Sequence, residues 1–486
     1  MADQPAAGPL AVSETNPRYF SAPAHDGGRK IVYLTGSHVN NNFHDGMGFG
    51  KERPEQPERF DYPGYLEFLR SHGHNFIRLW RWEQFQGYLT GADVHFFMSP
   101  QPWPRTGPGT AKDGRPRFDL DEFDPDYFDR LRERVLAAAD QGIYVSVMFF
   151  EGFSLHLTAT PDNIEGHPFH SANNVNDIGI SSIVDYQVLP LDAGIRRVQE
   201  AYVRKMVDTL HDLPNVLYEV ANESSGLAAD NVTLPDGSTM DTRIGDSTEW
   251  QYWVIRSIKE YEKQRGYQPH PVGMTFLYPV PDQSRANQPL WDSPAEWISP
   301  GFDEGSMPVG SRWLTDPPAS DGTKVVISDT DHYSPMSSDA LWAWKSFLRG
   351  HNPILYDLGI FTGVDPPDAT AGAPSYESLE SARQAMGDTR RLAGELDLAA
   401  MAPHGELCST GFALADTGRE YVVLQPEEGE GFAVALPAGT YARTWHDVTS
   451  RETASQEPVT VTGSDTTEFG PPFDQAGPVV LHLRAV

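Results

Sequence analysis

The chain has one cysteine, Cys408, in 486 residues. No intrachain disulfide can form, and neither can a cysteine-built zinc cluster. Positive charge is scarce too: 37 Lys and Arg stand against 68 Asp and Glu, a formal net charge of −31. A surface of that sign is repelled by nucleic acid and anionic lipid, so neither is expected as a partner. The acidic residues are spread along the chain, as on a solvated, self-repelling surface. No apolar run reaches the length of a membrane span. Met1-Ala-Asp-Gln-Pro5 has no basic stretch leading into an apolar one, so no signal peptide is visible and a cytoplasmic location is the expectation.

Several catalytic signatures are missing as well. His-Glu-x-x-His does not occur, and His38 and His44 lack the spacing of a helical metal pair, so no metal is expected. Gly-x-Gly-x-x-Gly and the Gly-Lys-Ser/Thr phosphate loop are absent, and no cofactor is expected. Ser37 and Ser154 lack the Gly-x-Ser-x-Gly elbow of a serine hydrolase.

What the chain does have is rhythm. From Lys30 short apolar runs alternate with polar loops and amphipathic stretches, the pattern of parallel strands joined by crossover helices. The runs are Ile31–Gly36, Phe76–Trp80, Ile143–Phe150, Val216–Ala221, Val272–Tyr278, Glu296–Ser299, Val325–Ser328 and Pro353–Tyr356. Eight such strands predict an α/β chain folded as a (β/α)8 TIM barrel. Asp124-Pro125 supplies an N-cap and a first-turn proline to a helix whose apolar positions are Phe128, Leu131, Val135, Leu136 and Ala139. Gly142 stops that helix, and similar patterns fall near 192–211, 248–265, 338–349 and 376–396. After Leu398 only short strands between Gly, Pro, Asp and Glu turns remain. The expected organisation is therefore an N-terminal lead-in at 1–28, a catalytic barrel at 29–399 and a small antiparallel β-sandwich at 400–486.

Barrels of this kind carry their chemistry where the strands end. Here the ends read Ser37-His38, Arg78 to Trp80, Glu151, Asn222-Glu223, Tyr278, Asp329-Thr330-Asp331-His332 and Asp357. Glycoside cleavage needs one carboxylic acid to protonate the leaving oxygen and one carboxylate to attack carbon or activate water. Glu223 after strand four and an Asp after strand seven supply that pair from opposite sides of the mouth. Arg78 is expected to hold the second carboxylate by bidentate pairing and keep it ionised. Tyr278 and His332 are candidates for hydrogen bonds to it or to a sugar hydroxyl, and each can equally be structural. Glu151 is expected to be a sugar-binding or structural acid. Trp80 and Trp82 share a face, one as a possible stacking platform and at least one as packing behind the mouth. The loops at 83–120, 152–190 and 280–323 are long enough to build much of a binding site.

Leu217-Tyr-Glu-Val-Ala-Asn-Glu223 resembles the strand-four signature of the retaining glycosidases of clan A, in which Asn precedes the acid/base Glu. Asn75-Phe-Ile-Arg-Leu-Trp80 is similar to the clan's strand-two segment, whose Arg supports the nucleophile. Thr15–Phe20, Leu34–His38, Ser328–His332 and Trp344–Pro353 resemble bacterial glycoside hydrolases related to the apiosidase-like barrels. The stretch from Trp445 to Leu483 is similar to a domain often labelled collagen-binding. The clan places a nucleophilic Glu after strand seven, where this chain has Asp-Thr-Asp. The likeness to the apiosidase-like segment selects Asp331, with Asp329 as the second choice.

The resemblance implies a glycosidase with Glu223 as acid/base, preceded by Asn222, Asp331 or Asp329 as nucleophile, and Arg78 in support; His38, Trp80, Glu151, Tyr278 and His332, read from the strand ends, are expected around the carbohydrate. An exo-acting enzyme on an oligosaccharide or glycoside is the expectation. Transglycosylation, an inverting mechanism, and a non-catalytic sugar- or matrix-binding protein are the alternatives.

Overall fold

The computed structural model describes residues 4–24, 26–45, 59–89, 94–156, 161–226, 231–233, 239–241, 244–304, 311–333, 338–357, 376–463, 465–474 and 476–486. Parts of the three long loops (90–93, 157–160 and 305–310) lie outside them.

Eight strands make one parallel sheet: β1 (Gly36–His38), β2 (Phe76–Leu79), β3 (Tyr144–Glu151), β4 (Val216–Asn222), β5 (Val272–Thr275), β6 (Trp297–Ser299), β7 (Val325–Asp329) and β8 (Asn352–Tyr356). Their order around the sheet is β1-β8-β7-β6-β5-β4-β3-β2. The ends of that row meet just before β1 and β2, where the Asn75 N–H donates to the Thr35 carbonyl at 2.9 Å. The Thr35 N–H donates in turn to Asn75 Oδ1 at 3.0 Å. Gly36 permits the contact, since a Cβ there would stand 2.0 Å from the Phe76 carbonyl oxygen. The (β/α)8 barrel that the strand rhythm predicts is thus the fold.

The first strand is shorter and later than the run Ile31–Gly36 predicts. Arg29–Val32 instead pairs antiparallel with Phe20–Pro23, which pairs with Ala11–Val12. This small sheet belongs to the floor of the barrel. Leu10, Phe20 and Leu34 pack against Phe76, Tyr144, Leu217, Trp297 and Val325, residues at or near the starts of five barrel strands. One apolar run therefore serves two sheets, and hydropathy alone does not mark the break.

The helices are α1 (Tyr62–Ser71), which the patterns do not single out, and five that form where the patterns place them: α2 (Pro125–Asp140), α3 (Ala193–Leu210), α4 (Thr248–Arg265), α5 (Ala340–Leu348) and α6 (Glu380–Ala393). Asp124 caps α2 by accepting from the Asp126 N–H, and Gly142 follows its end at φ 74°, a left-handed position that glycine takes without strain. The inner stripes of α1 to α4 join the outward residues of the strands in one core. Among the described residues no helix is long and apolar enough to cross a membrane.

The C-terminal region is built of antiparallel sheets. Six strands, Ala402–Pro403, Ala413–Asp416, Glu420–Gln425, Val479–Ala485, Gly439–Asp447 and Thr453–Val461, lie side by side in that order. Phe432–Leu436 and Asp465–Phe469 form a second, two-stranded sheet. Tyr421, Tyr441, Trp445, Phe432 and Phe469 fill the space between them. A further core, including Trp344, Phe347 and Met386 from α5 and α6 with Leu414, Val422 and Val480, fastens this domain to the barrel. Arg451 adds two bonds to Asp388 of α6, at 2.7 and 2.8 Å.

Candidate active site

Alternation along the strands decides what enters the barrel. Val325 and Ile327 of β7 face the floor core, so Asp329, in phase with them, points inward near the mouth. Phe76 and Leu217 are inward by the same contacts, which carries Arg78 and Glu219 inside with them.

Arg78 is the hub. Its Nε and Nη2 donate to Glu219 at 3.1 and 2.6 Å, and Nη2 also donates to Asn222 Oδ1 at 2.8 Å. Nη1 donates to Asp329 at 2.8 Å and to Asp331 at 3.2 Å. The bidentate pairing expected for the nucleophile therefore goes to Glu219, and the two aspartates share one nitrogen. Glu219 was legible only by period: it stands two residues from the inward Leu217 in the same strand.

The two aspartates differ sharply. Asp329 is completely buried and saturated, bonded to His38 Nε2 at 2.9 Å, to Arg78, and to the Asp331 N–H at 2.9 Å. Burial alone would raise its pKa, but His38 and Arg78 hold it well below the carboxylate range. Asp331 lies in the short turn, Thr330–His332, that follows the strand, with its side chain 7% exposed and Arg78 as its hydrogen-bond partner. Burial and the neighbouring Asp329 charge raise it to about 6, against the pull of Arg78.

Glu223 follows β4 at φ 42°. A left-handed glutamate costs about 1–2 kcal/mol, and such strain is concentrated at functional sites. His156 Nε2 holds the turn by donating to the Glu223 carbonyl at 2.9 Å. No motif announced that histidine, which lies in the loop after β3. The Glu223 carboxyl has no hydrogen bond among the described residues. Burial raises its pKa well above the ordinary value, and the charges of Asp331 and Glu151 add to the effect.

His332 accepts from or donates to Ser299 Oγ through Nδ1 at 2.9 Å, while its buried Nε2 has no partner and lies 3.8 Å from Asp331 Oδ2. Burial lowers this histidine to about 3, so it is neutral. One ligand-capable atom each from Glu223, Asp331 and His332 lies within 4.8 Å of the others; these three are the described group that could hold a metal.

The remaining residues of the sequence reading stand further out. Trp80 is 3% exposed, stacked 5.9 Å from His38 and 6.0 Å from Tyr356, with the Arg78 guanidinium 5.2 Å from its ring. It is a wall and not an open platform, and Trp82 is buried beside it. Tyr278 lies beyond β5, half-buried among Phe276, Phe302 and His156. Its hydroxyl makes no hydrogen bond among the described residues, and burial followed by Glu223 raises its pKa. Glu151 is completely buried in its own network with Ser154, whose N–H donates at 3.2 and 3.3 Å. Burial raises it to about 8, so it is protonated at neutral pH. Asp357 is occupied by Arg383 at 2.6 and 2.7 Å.

No family model matches the chain, and no curated protein matches it either. Solved structures do. A protein described as a glycoside hydrolase superposes with a TM-score of 0.58 at 13% identity, over 98% of this chain and 97% of its own. A glycoside hydrolase family 5 structure from Bacteroides vulgatus gives 0.59 at 13% identity, over 98% and 94%. At that identity the likeness is one of fold, and it extends over barrel and β-domain together.

Proposed function

We propose that this chain is a retaining glycoside hydrolase in which Glu223 is the acid/base and Asp331 the nucleophile. One observation carries the reading: an oxygen of the Glu223 carboxyl, which has no hydrogen bond among the described residues, lies within 4.8 Å of an oxygen of the Asp331 carboxyl, which is held by Arg78. Retaining enzymes place theirs about 5–5.5 Å apart, whereas inverting ones leave about 6.5–9.5 Å for a water.

The roles follow from the environments. An Asp331 oxygen attacks the anomeric carbon while Glu223 gives its proton to the departing oxygen, leaving a glycosyl ester on Asp331. Glu223, now a carboxylate, takes a proton from water, whose oxygen displaces Asp331 and frees the sugar. Asp329 is too fully bonded to attack; with Arg78 and His38 it positions Asp331. Asn222, held through Oδ1, has its amide N–H groups left to meet a sugar hydroxyl. Glu223 is buried and the Asp331 side chain is only 7% exposed, which favours approach by a chain end, the exo-acting mode.

The test is a panel of nitrophenyl glycosides, furanosides included, with the anomer of the first-formed product followed by NMR. One sugar released with retained configuration is expected. Product of inverted configuration would rule out the covalent mechanism, and no turnover across the panel would favour a non-catalytic sugar-binding barrel.

The pH dependence is a second expected outcome. Attack needs Asp331 ionised, so kcat/KM should rise as pH increases through about 6. Donation needs Glu223 protonated, so the rate should fall again only above the ordinary glutamate range. An acid limb near about 4, the value of an unperturbed carboxyl, would move the nucleophile's role to another residue.

A further inference from the structure

We propose that Glu223, Asp331 and His332 also form a binding site for one divalent transition-metal ion of the Zn2+, Ni2+ and Cu2+ class, and that, on the function proposed above, its occupancy inhibits the enzyme.

The geometry is the first argument. The three ligand atoms lie within 4.8 Å of one another. Ligands at about 2.0–2.2 Å from a shared Zn2+ stand closer still, so binding draws the side chains slightly inward. Glu223, whose carboxyl no described residue holds, is free to make that move.

The second argument is His332. Its Nε2 is buried beside the two carboxyls without a partner, a costly state for a polar atom. Its other nitrogen is tied to Ser299 Oγ at 2.9 Å. A ring nitrogen aimed inward with its opposite nitrogen anchored is how proteins orient metal-binding histidines.

Charge is the third. Glu219, Asp329 and Asp331 crowd around a single guanidinium, that of Arg78, and Glu223 stands beside Asp331. A dication added to that excess of carboxylates is attracted, and imidazole among the donors selects the borderline metals over Ca2+ and Mg2+.

Three protein ligands leave a coordination position for water, but the consequence here is inhibition. A Glu223 oxygen bound to the ion cannot carry a proton to a leaving group, and a bound Asp331 oxygen cannot attack carbon.

The test is calorimetric titration of ZnCl2 into the full chain stripped with a chelator, followed by anomalous scattering from Zn2+-soaked crystals. One equivalent with its peak between the three side chains is expected. His332→Gln and Asp331→Asn should each weaken binding by at least tenfold, and Ser299→Ala by about 10- to 100-fold. Glu223→Gln is the variant least able to disturb folding, and circular dichroism checks that it has not. Wild-type Zn2+ affinity in folded Glu223→Gln would overturn the site, as would a wild-type Kd weaker than about 1 mM. The readout is binding, so it stands or falls independently of whether any glycoside is cleaved.

Discussion

Asp331→Ala is expected to lower kcat on any accepted glycoside by roughly 10⁴-fold or more, about 5 kcal/mol of transition-state stabilisation, with the fold intact. The fold survives because Asp331 contributes little to it: its hydrogen bond is one of five that Arg78 makes, and Glu219, Asn222 and Asp329 retain the other four. Azide should restore turnover by entering the vacated space and attacking carbon itself, yielding a glycosyl azide of inverted configuration. The same treatment should not rescue Asp329→Ala, whose defect is the loss of the contacts to His38, Arg78 and the Asp331 N–H. Full kcat in Asp331→Ala would end its assignment as nucleophile.

The partner variant separates the two halves of the reaction. Glu223→Gln cannot donate a proton, so substrates with poor leaving groups should slow by about 10²–10⁴-fold. Dinitrophenyl glycosides, whose leaving group needs no proton, should still form the ester on Asp331. Hydrolysis of that ester then lacks its base, so release of dinitrophenol should appear as a burst followed by a slow phase.

The barrel was legible because its rules are local. Period-two burial in strands, an Asp-Pro cap and a glycine stop each leave a mark within a few residues, and α2 shows the last two together at Asp124, Pro125 and Gly142. The floor was not legible, since Ile31 to Gly36 gives the same hydropathy whether it feeds one sheet or two. The strand-end rule brought Arg78, Asn222, Glu223, Asp329, Asp331, His38 and His332 forward as candidates, and the fold gathers them at one mouth. It could not rank Asp329 against Asp331, because the difference between them is a matter of partners. Asp329 meets residues from β1 and β2, at sequence separations that no pattern spans. Glu219 and His156 were passed over for related reasons. One looks like an acid stranded in an apolar strand, and the other like any loop histidine, until Arg78 and the Glu223 carbonyl come to lie beside them.

That dependence on one arginine yields the largest effect expected on stability. Arg78 is 1% exposed and faces Glu219 and Asp329, both wholly buried. Arg78→Met keeps the approximate bulk and removes the charge, leaving carboxylates in a low-dielectric interior without their cation. Breaking a buried pair from one side costs about 3–5 kcal/mol, which for a chain of 486 residues a melting curve should show as a decrease of roughly 3–5 °C. The sign with pH is also fixed. In the wild type Asp329 lies below its unfolded value, so its contribution is present above that value and lost on acidification. In Arg78→Met only His38 is left to oppose burial, so the Asp329 carboxyl rises from its wild-type value and the penalty grows as pH rises. The gap in melting temperature should therefore be narrow at pH 4 and widest at pH 7 to 8. Arg78→Lys should recover only part of it, because a single ammonium cannot reach Glu219, Asn222 and both aspartates at once. A gap that stays constant with pH would mean that Arg78 stabilises the barrel by packing under Trp80, and not by holding its carboxylates ionised.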